Sequence, residues 1–178
     1  MTAPTSLRPS RTSCPATASR VAVFHSLRFP GSTRADIDHA VLIGHELFLV
    51  DSKAWRGGAY RQESVDTIIA PDGQERRSSM PAASAALSRS GWGDVRVVTV
   101  IHATSGRVLV TTTGMASHMV VSPVDMVEML LEARVRESSR VPWTGKDADR
   151  FARHVEQLRE MLMPTRGVGA TTVGHRAA

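Results

Sequence analysis

Two apolar stretches, Ala35-Asp-Ile-Asp-His-Ala-Val-Leu-Ile43 and Glu46-Leu-Phe-Leu-Val-Asp-Ser-Lys53, are separated by Gly44-His45 alone, and this arrangement constrains the fold more than any other feature. If those two residues form the turn of a hairpin, Ile43 pairs with Glu46. Counting outward, Asp38 then faces Asp51 and Asp36 faces Lys53. Side chains alternate along a strand, so these four project from one face. The strand bodies are apolar on both faces: Val41, Ile43, Phe48 and Val50 on one, Ala40, Leu42, Leu47 and Leu49 on the other. That pattern predicts the centre of a sheet covered on both sides.

Two carboxylates opposed across a ladder repel each other and lower stability. A divalent cation between Asp38 and Asp51 would turn the repulsion into binding, and magnesium or manganese suits an all-oxygen site. Lys53 beside it is placed to stabilise developing negative charge or to orient water. Charged strand ends are often merely solvated, which is the competing reading of an isolated Asp-x-Lys. Charges at the end of a doubly covered central sheet call for more explanation than charges on an edge strand.

Ala35-Asp-Ile-Asp-His39 together with Val50-Asp-Ser-Lys-Ala-Trp-Arg-Gly57 resembles the NERD domain, the nuclease-related domain of bacterial proteins. The likeness is strongest over residues 21–61 and extends to about residue 122. It implies the restriction-endonuclease-like, PD-(D/E)xK group. The expected fold class is therefore α/β of the α+β kind, a central mixed β-sheet flanked by helices. In that group an Asp on one strand and an acidic residue two before a Lys on the next bind the metal; the matching positions are Asp38, Asp51 and Lys53. Trp55 and Gly57 also match the run that follows the Lys. The family opens on a helix whose Glu joins the acidic cluster, whereas no acidic residue precedes Asp36 here. The resemblance thus implies either a domain short of that helix or a partner chain, or second copy, that supplies it.

With 178 residues the chain suits one domain with a sizeable core. We expect a disordered tail over 1–20, a nuclease-fold domain over 21–163 and a second tail over 164–178. Five arginines, Arg8, Arg11, Arg20, Arg166 and Arg176, lie outside 21–163 and account for the net charge of +5. The domain itself is neutral and has no net field to draw in a polyanion, so nucleic-acid binding rests on the motif rather than on charge. The lone cysteine, Cys14, cannot form an internal disulfide, which fits a cytoplasmic setting. No apolar run has the length of a membrane span, and no secretory signal is visible.

Further along, Arg20–Leu27 reads as a first strand and Phe29–Thr33 as a turn. Gly57-Gly58 turns the chain or lets a ligand approach the backbone. Ala59–Ile69 reads as one strand, Arg76-Arg77 as loop, Pro81–Arg89 as a helix and Val95–His102 as a strand. Ser105-Gly106 turns into a return strand, Arg107–Thr112, and His118–Val121 is a short strand. Ser122, Pro123 and Asp125 open a helix by capping box, with Val124, Val127, Leu130 and Leu131 at helical spacing and Met126 and Met129 as core fillers. A last helix spans about Lys146–Met163, with Phe151, Val155, Leu158 and Leu162 on one face. The histidines lack zinc-ligand spacing, and His39 is expected to be structural. Gln62 and Glu63 are candidates for an extra polar contact near the site.

The expected activity is a metal-dependent hydrolysis of phosphodiester bonds, with DNA as the expected substrate. The alternative is a catalytically inactive nucleic-acid-binding or regulatory module on the same fold.

Overall fold

The computed structural model describes residues 20–30, 36–112, 118–140 and 143–163. The expected tails at 1–19 and 164–178, Cys14, and Gly31-Ser32-Thr33 of the first turn lie outside the described residues. Nine strands and three helices follow in the order β1 (Val21–Arg28), β2 (Asp36–Ile43), β3 (Glu46–Trp55), β4 (Gly58–Gln62), β5 (Thr67–Ile69), β6 (Glu75–Arg77), α1 (Met80–Arg89), β7 (Asp94–Ala103), β8 (Val108–Thr112), β9 (His118–Val121), α2 (Pro123–Ser138) and α3 (Gly145–Glu160).

The main sheet has the order β1-β2-β3-β7-β9. β1, β2 and β3 are antiparallel neighbours, while β7 pairs parallel with β3 and β9 parallel with β7. The sheet is mixed, as expected. The predicted hairpin forms with the predicted register, from Ile43↔Glu46 out to His39↔Val50. Gly44 takes a φ of +58°, the left-handed conformation in which a Cβ is disfavoured, so a glycine at the turn is required.

Both faces of β2 and β3 are buried, as their sequence implied. Ala40, Leu42, Leu47 and Leu49 join Met80, Ala83 and Leu87 of α1 and Leu158 of α3 on one side. Val41, Ile43, Phe48 and Val50 meet Ala133, Met126, Met129 and Leu130 of α2 on the other. The methionines are thus core fillers. The residues α2 shows to solvent are instead Val124, Val127, Leu131 and Val135, each more than half exposed. Of the apolar residues expected at helical spacing, only Leu130 faces the sheet.

A second sheet, ordered β6-β5-β4-β8, grows from the end of β3. It corrects three expectations. The stretch 59–69 is two antiparallel strands, β4 and β5, joined by a turn in which Ser64 Oγ accepts from the Asp66 and Thr67 amides. Arg76 and Arg77 belong to β6 rather than to a loop. β8 does not fold back onto β7; it pairs parallel with β4, from Gly58↔Val108 to Gln62↔Thr112. Burial decides this last choice. Tyr60, Ile68 and Ala70 form a third apolar cluster with Ile101 and Val120, and Val108 and Val110 complete it from β8.

The capping box of α2 is present: Ser122 Oγ accepts from the Asp125 amide, and Asp125 Oδ2 accepts from the Ser122 amide. Thr144 and Asp147 form a second box on α3. Two buried carboxylates anchor the far end of the hairpin. Glu46 meets Arg136 at 3.2 Å and Arg96 at 3.6 Å, and Glu137 meets Arg20 at 3.6 Å and accepts from the Trp143 indole. Satisfied on several sides, these charges tie α2 to the β2–β3 turn.

Candidate active site

Asp38 and Asp51 lie one step beyond the last β2–β3 pair, His39↔Val50. The predicted opposition of Asp38 to Asp51, and of Asp36 to Lys53, therefore falls past the end of the ladder. Two groups take its place. The Ser52 amide donates to Asp38 Oδ2 at 2.6 Å, so a side-chain carboxylate binds the amide that a strand partner would otherwise face. Lys53 Nζ donates to Asp51 Oδ1 at 2.7 Å, two residues along its own strand. Asp36 is exposed and pairs with Arg28 on the β1 side. The cluster is thus Asp38, the Ser52 amide, Asp51 and Lys53, at the end of two central strands.

Its electrostatics are those of a charged group held where charge is unwelcome. The Asp51 side chain is 15% exposed, the Lys53 side chain 39%. Burial pushes the Asp51 carboxyl above its usual range, and the Asp38 charge adds to the push; the Lys53 ammonium and, more weakly, His118 pull against it. Raised carboxyl groups next to a specific charge partner are concentrated at functional sites.

Two further residues border the cluster without having been predicted there. Thr99 of β7 is the strand partner of Asp51 and is buried. Its hydroxyl bonds His118 Nε2 at 3.0 Å, while His118 Nδ1 faces the Val65 carbonyl. A carbonyl can only accept, so Nδ1 carries the proton; in the neutral ring, which burial favours, Nε2 accepts from the Thr99 hydroxyl. Burial holds the His118 pKa below its ordinary value to match. Sequence spacing could not reveal this, because Thr99 and His118 reach Asp51 only through parallel pairing across β7 and β9.

Protonating His118 costs more folded than unfolded, so stability should fall as pH drops below about 6.5, the unfolded histidine value. His154, also held low by burial, adds to the fall. Melting temperatures of His118→Gln between about pH 5 and pH 8 should show a shallower acid-side decline than the parent; an unchanged slope would remove His118 from this account.

Gln62, buried, donates to the His118 carbonyl at 2.8 Å and so supports the site's wall rather than its mouth. Glu63 turns outward to Arg61 at 3.3 Å. His39 bonds His25 across β1, Nδ1 to Nδ1 at 2.7 Å. The Gly57-Gly58 turn approaches another segment of the chain rather than open solvent: the Gly57 amide donates to the Ser105 carbonyl at 2.7 Å and the Gly58 amide to Arg107 at 2.8 Å.

The donor set suits magnesium or manganese in kind, since both candidate ligands are carboxylates. Asp51, with its ionised form disfavoured by burial and by Asp38, would gain from a cation. Among the described residues no group of three or more His, Cys, Asp or Glu side chains comes together, so water would fill most of the coordination sphere.

A helix-flanked mixed sheet, with an Asp and an Asp-x-Lys at the ends of adjacent central strands, is consistent with the restriction-endonuclease-like class. The family model described as the nuclease-related domain, NERD, matches residues 15–83, and the chain carries a nuclease-related segment there. That span holds β1 to β6 and all three candidate residues. No curated protein matches the chain, and no solved structure does. No helix among the described residues is long and apolar enough to cross a membrane.

Proposed function

We propose that residues 21–163 form a metal-dependent nuclease domain that hydrolyses phosphodiester bonds in DNA, with Asp38, Asp51 and Lys53 as its catalytic residues. The observation that carries this reading is Asp51. A half-buried carboxylate whose charge is disfavoured by burial and by a second Asp has little structural rationale, and it lies beside a lysine on a nuclease-related segment. Asp38 and Asp51 would hold magnesium or manganese. When bound, such an ion neutralises the scissile phosphate and lowers the pKa of a coordinated water.

The chain's own groups do the rest. The Ser52 amide holds Asp38 by one oxygen, Oδ2, and so fixes a carboxylate that would be one of the metal's ligands. Lys53, two residues from Asp51 on the same strand, would supply positive charge to a bound phosphate as negative charge builds on it. Thr99 and the neutral His118 form a dry wall behind Asp51, which keeps its carboxylate desolvated and strengthens its attraction to a cation. A cytoplasmic location suits the single cysteine.

The test is cleavage of plasmid DNA, single-stranded DNA and RNA with magnesium or manganese, against the same reactions with chelator. Cleavage confined to the metal-containing reactions and lost in Lys53→Ala supports the proposal; no cleavage of any substrate ends it.

A second reading has its own observation. Lys53 already closes on Asp51, and among the described residues no third acidic or histidine group forms a metal-holding cluster with Asp38 and Asp51. Such a site could serve an inactive module that binds nucleic acid. Calorimetry separates the two, since this reading requires nucleic-acid binding without magnesium binding. The exposed Val124, Val127, Leu131 and Val135 of α2 also offer a face for a second copy or a partner chain, which light scattering on the purified protein would detect as a mass above that of the monomer.

A further inference from the structure

We propose that the cleft between α3 and the α1–β7 connection is a binding site for a phosphate group, separate from the Asp38–Asp51 cluster. The cleft has a volume of about 510 Å³, within the range of small-molecule sites. From His45 to Asp51 the chain runs six residues along β3, roughly 20 Å at strand spacing, so the two sites sit at opposite ends of the sheet.

Four basic side chains line this cleft. Arg150 and Arg153 project from successive turns of α3. Both are exposed, and among the described residues neither has an ion pair, although Arg159 on the same helix is held by Glu156. His45 and His154 form the inner wall. Among the described residues each has a buried Nδ1 without a hydrogen-bond partner. Buried polar atoms are nearly always satisfied, and an orphan points to a missing water or ligand.

These imidazoles cannot easily turn away to find water. Trp143 stacks flat on His45, with centroids 5.4 Å apart and planes within 1°; Trp92 stacks on His154 at 4.2 Å. The rings are therefore held in place before any ligand arrives, which reduces the ordering cost of binding.

The acids nearby are already engaged. Asp147 lies 3.4 Å from His45 Nε2, and Asp94, the carboxylate lining the cleft, lies 3.8 Å from Arg96. What remains is positive. Two guanidinium groups offer fork-shaped donor pairs that match phosphate oxygens. Gly93, with nothing within 4 Å of where a Cβ would stand, leaves room for a ligand to approach the backbone. A phosphate alone would not fill the space, so the ligand carries its phosphate on a larger group: a free phosphate ester, or the backbone of a nucleic acid strand.

Pyrophosphate titrated calorimetrically into the full chain, with chelator present to exclude divalent metal, tests the site. Binding is expected, with a loss of tenfold or more in the Arg150→Gln/Arg153→Gln double variant. Both positions are on the helix surface, and circular dichroism checks that the variant folds; Arg153→Gln alone should show part of the loss. Asp51→Asn should bind pyrophosphate like the parent, which keeps the outcome separate from any result on cleavage. A short single-stranded DNA then identifies the source. If it displaces pyrophosphate, and the double variant lowers the slope of log affinity on log salt by about 1.4, the phosphate belongs to a nucleic acid strand. If it does not displace pyrophosphate, the ligand is a free phosphate ester. Absent pyrophosphate binding, or binding undiminished in the double variant, overturns the proposal.

Discussion

Asp51→Asn is expected to abolish magnesium-dependent cleavage and at the same time to make the protein more stable. The two effects have one origin. In the folded chain the Asp51 carboxylate is taken out of water beside the Asp38 charge, and its pKa is raised. A raised carboxyl binds its proton more tightly folded than unfolded, so ionisation works against folding. The penalty is absent at low pH, builds as pH climbs above the unfolded aspartate value of about 3.9, and is complete above the folded value. Asparagine removes it, at the loss of the ion pair with Lys53, whose side chain is 39% exposed and partly screened by solvent. The gain at neutral pH should appear as a higher melting temperature than the parent's. Melting curves at neutral and acid pH check the sign, since the gain should vanish in acid. Activity should fall by at least about 10²-fold, the scale for losing one preorganised charge-stabilising group. Lys53→Ala should lose a similar factor. A variant that is both less stable and still active would show Asp51 to be an ordinary structural residue.

Gly57→Ala is expected to be the most destabilising single methyl group that can be added to the second sheet. A Cβ on Gly57 would stand 2.1 Å from the Ser105 carbonyl oxygen and 2.9 Å from that of Arg107. Both are backbone atoms, so no side chain can swing aside. Relief requires parting the strand ends that join the two sheets, with loss of the Gly57 and Gly58 amide bonds to Ser105 and Arg107. We expect roughly 3 kcal/mol, at the upper end of overpacking costs. Gly145→Ala is the control: it sits in the first turn of α3 with nothing within 4 Å, and should be neutral or slightly stabilising. Equal melting temperatures for the two variants would contradict the contact. Matched to the family as a marker near the site, Gly57 is here a point where two backbones touch.

Local features were legible in the sequence because short-range physics determines them. Gly44 placed the turn, and the alternation around it gave the register and both buried faces. Ser122 and Asp125 gave the start of α2 as a capping box. What escaped depended on distant partners. Nothing in 94–103 or 108–112 says that β7 pairs with β3 or β8 with β4, since β-branched residues suit either neighbour. The two faces of α2 have nearly the same periodicity, Met126, Met129, Leu130 and Ala133 against Val124, Val127, Leu131 and Val135, so spacing could not tell which met the sheet. Asp38, Asp51 and Lys53 were named from pattern and resemblance together. Their geometry differed in detail because opposed carboxylates end the ladder, and a backbone amide and a lysine take up the charge.

The parallel join between β3 and β7 has a consequence for dissecting the molecule. All ten residues of β3 are paired with β7, which lies beyond the nuclease-related segment at 15–83. A fragment cut at residue 83 would keep the three charged residues yet strip an entire hydrogen-bonding edge from the strand that carries two of them. That edge is apolar and long, the kind that recruits foreign strands and precipitates. Recombinant work on the segment alone should therefore yield inclusion bodies rather than a folded domain, and the shortest useful boundary lies after α3, because α2 and α3 help cover the two apolar faces of the main sheet.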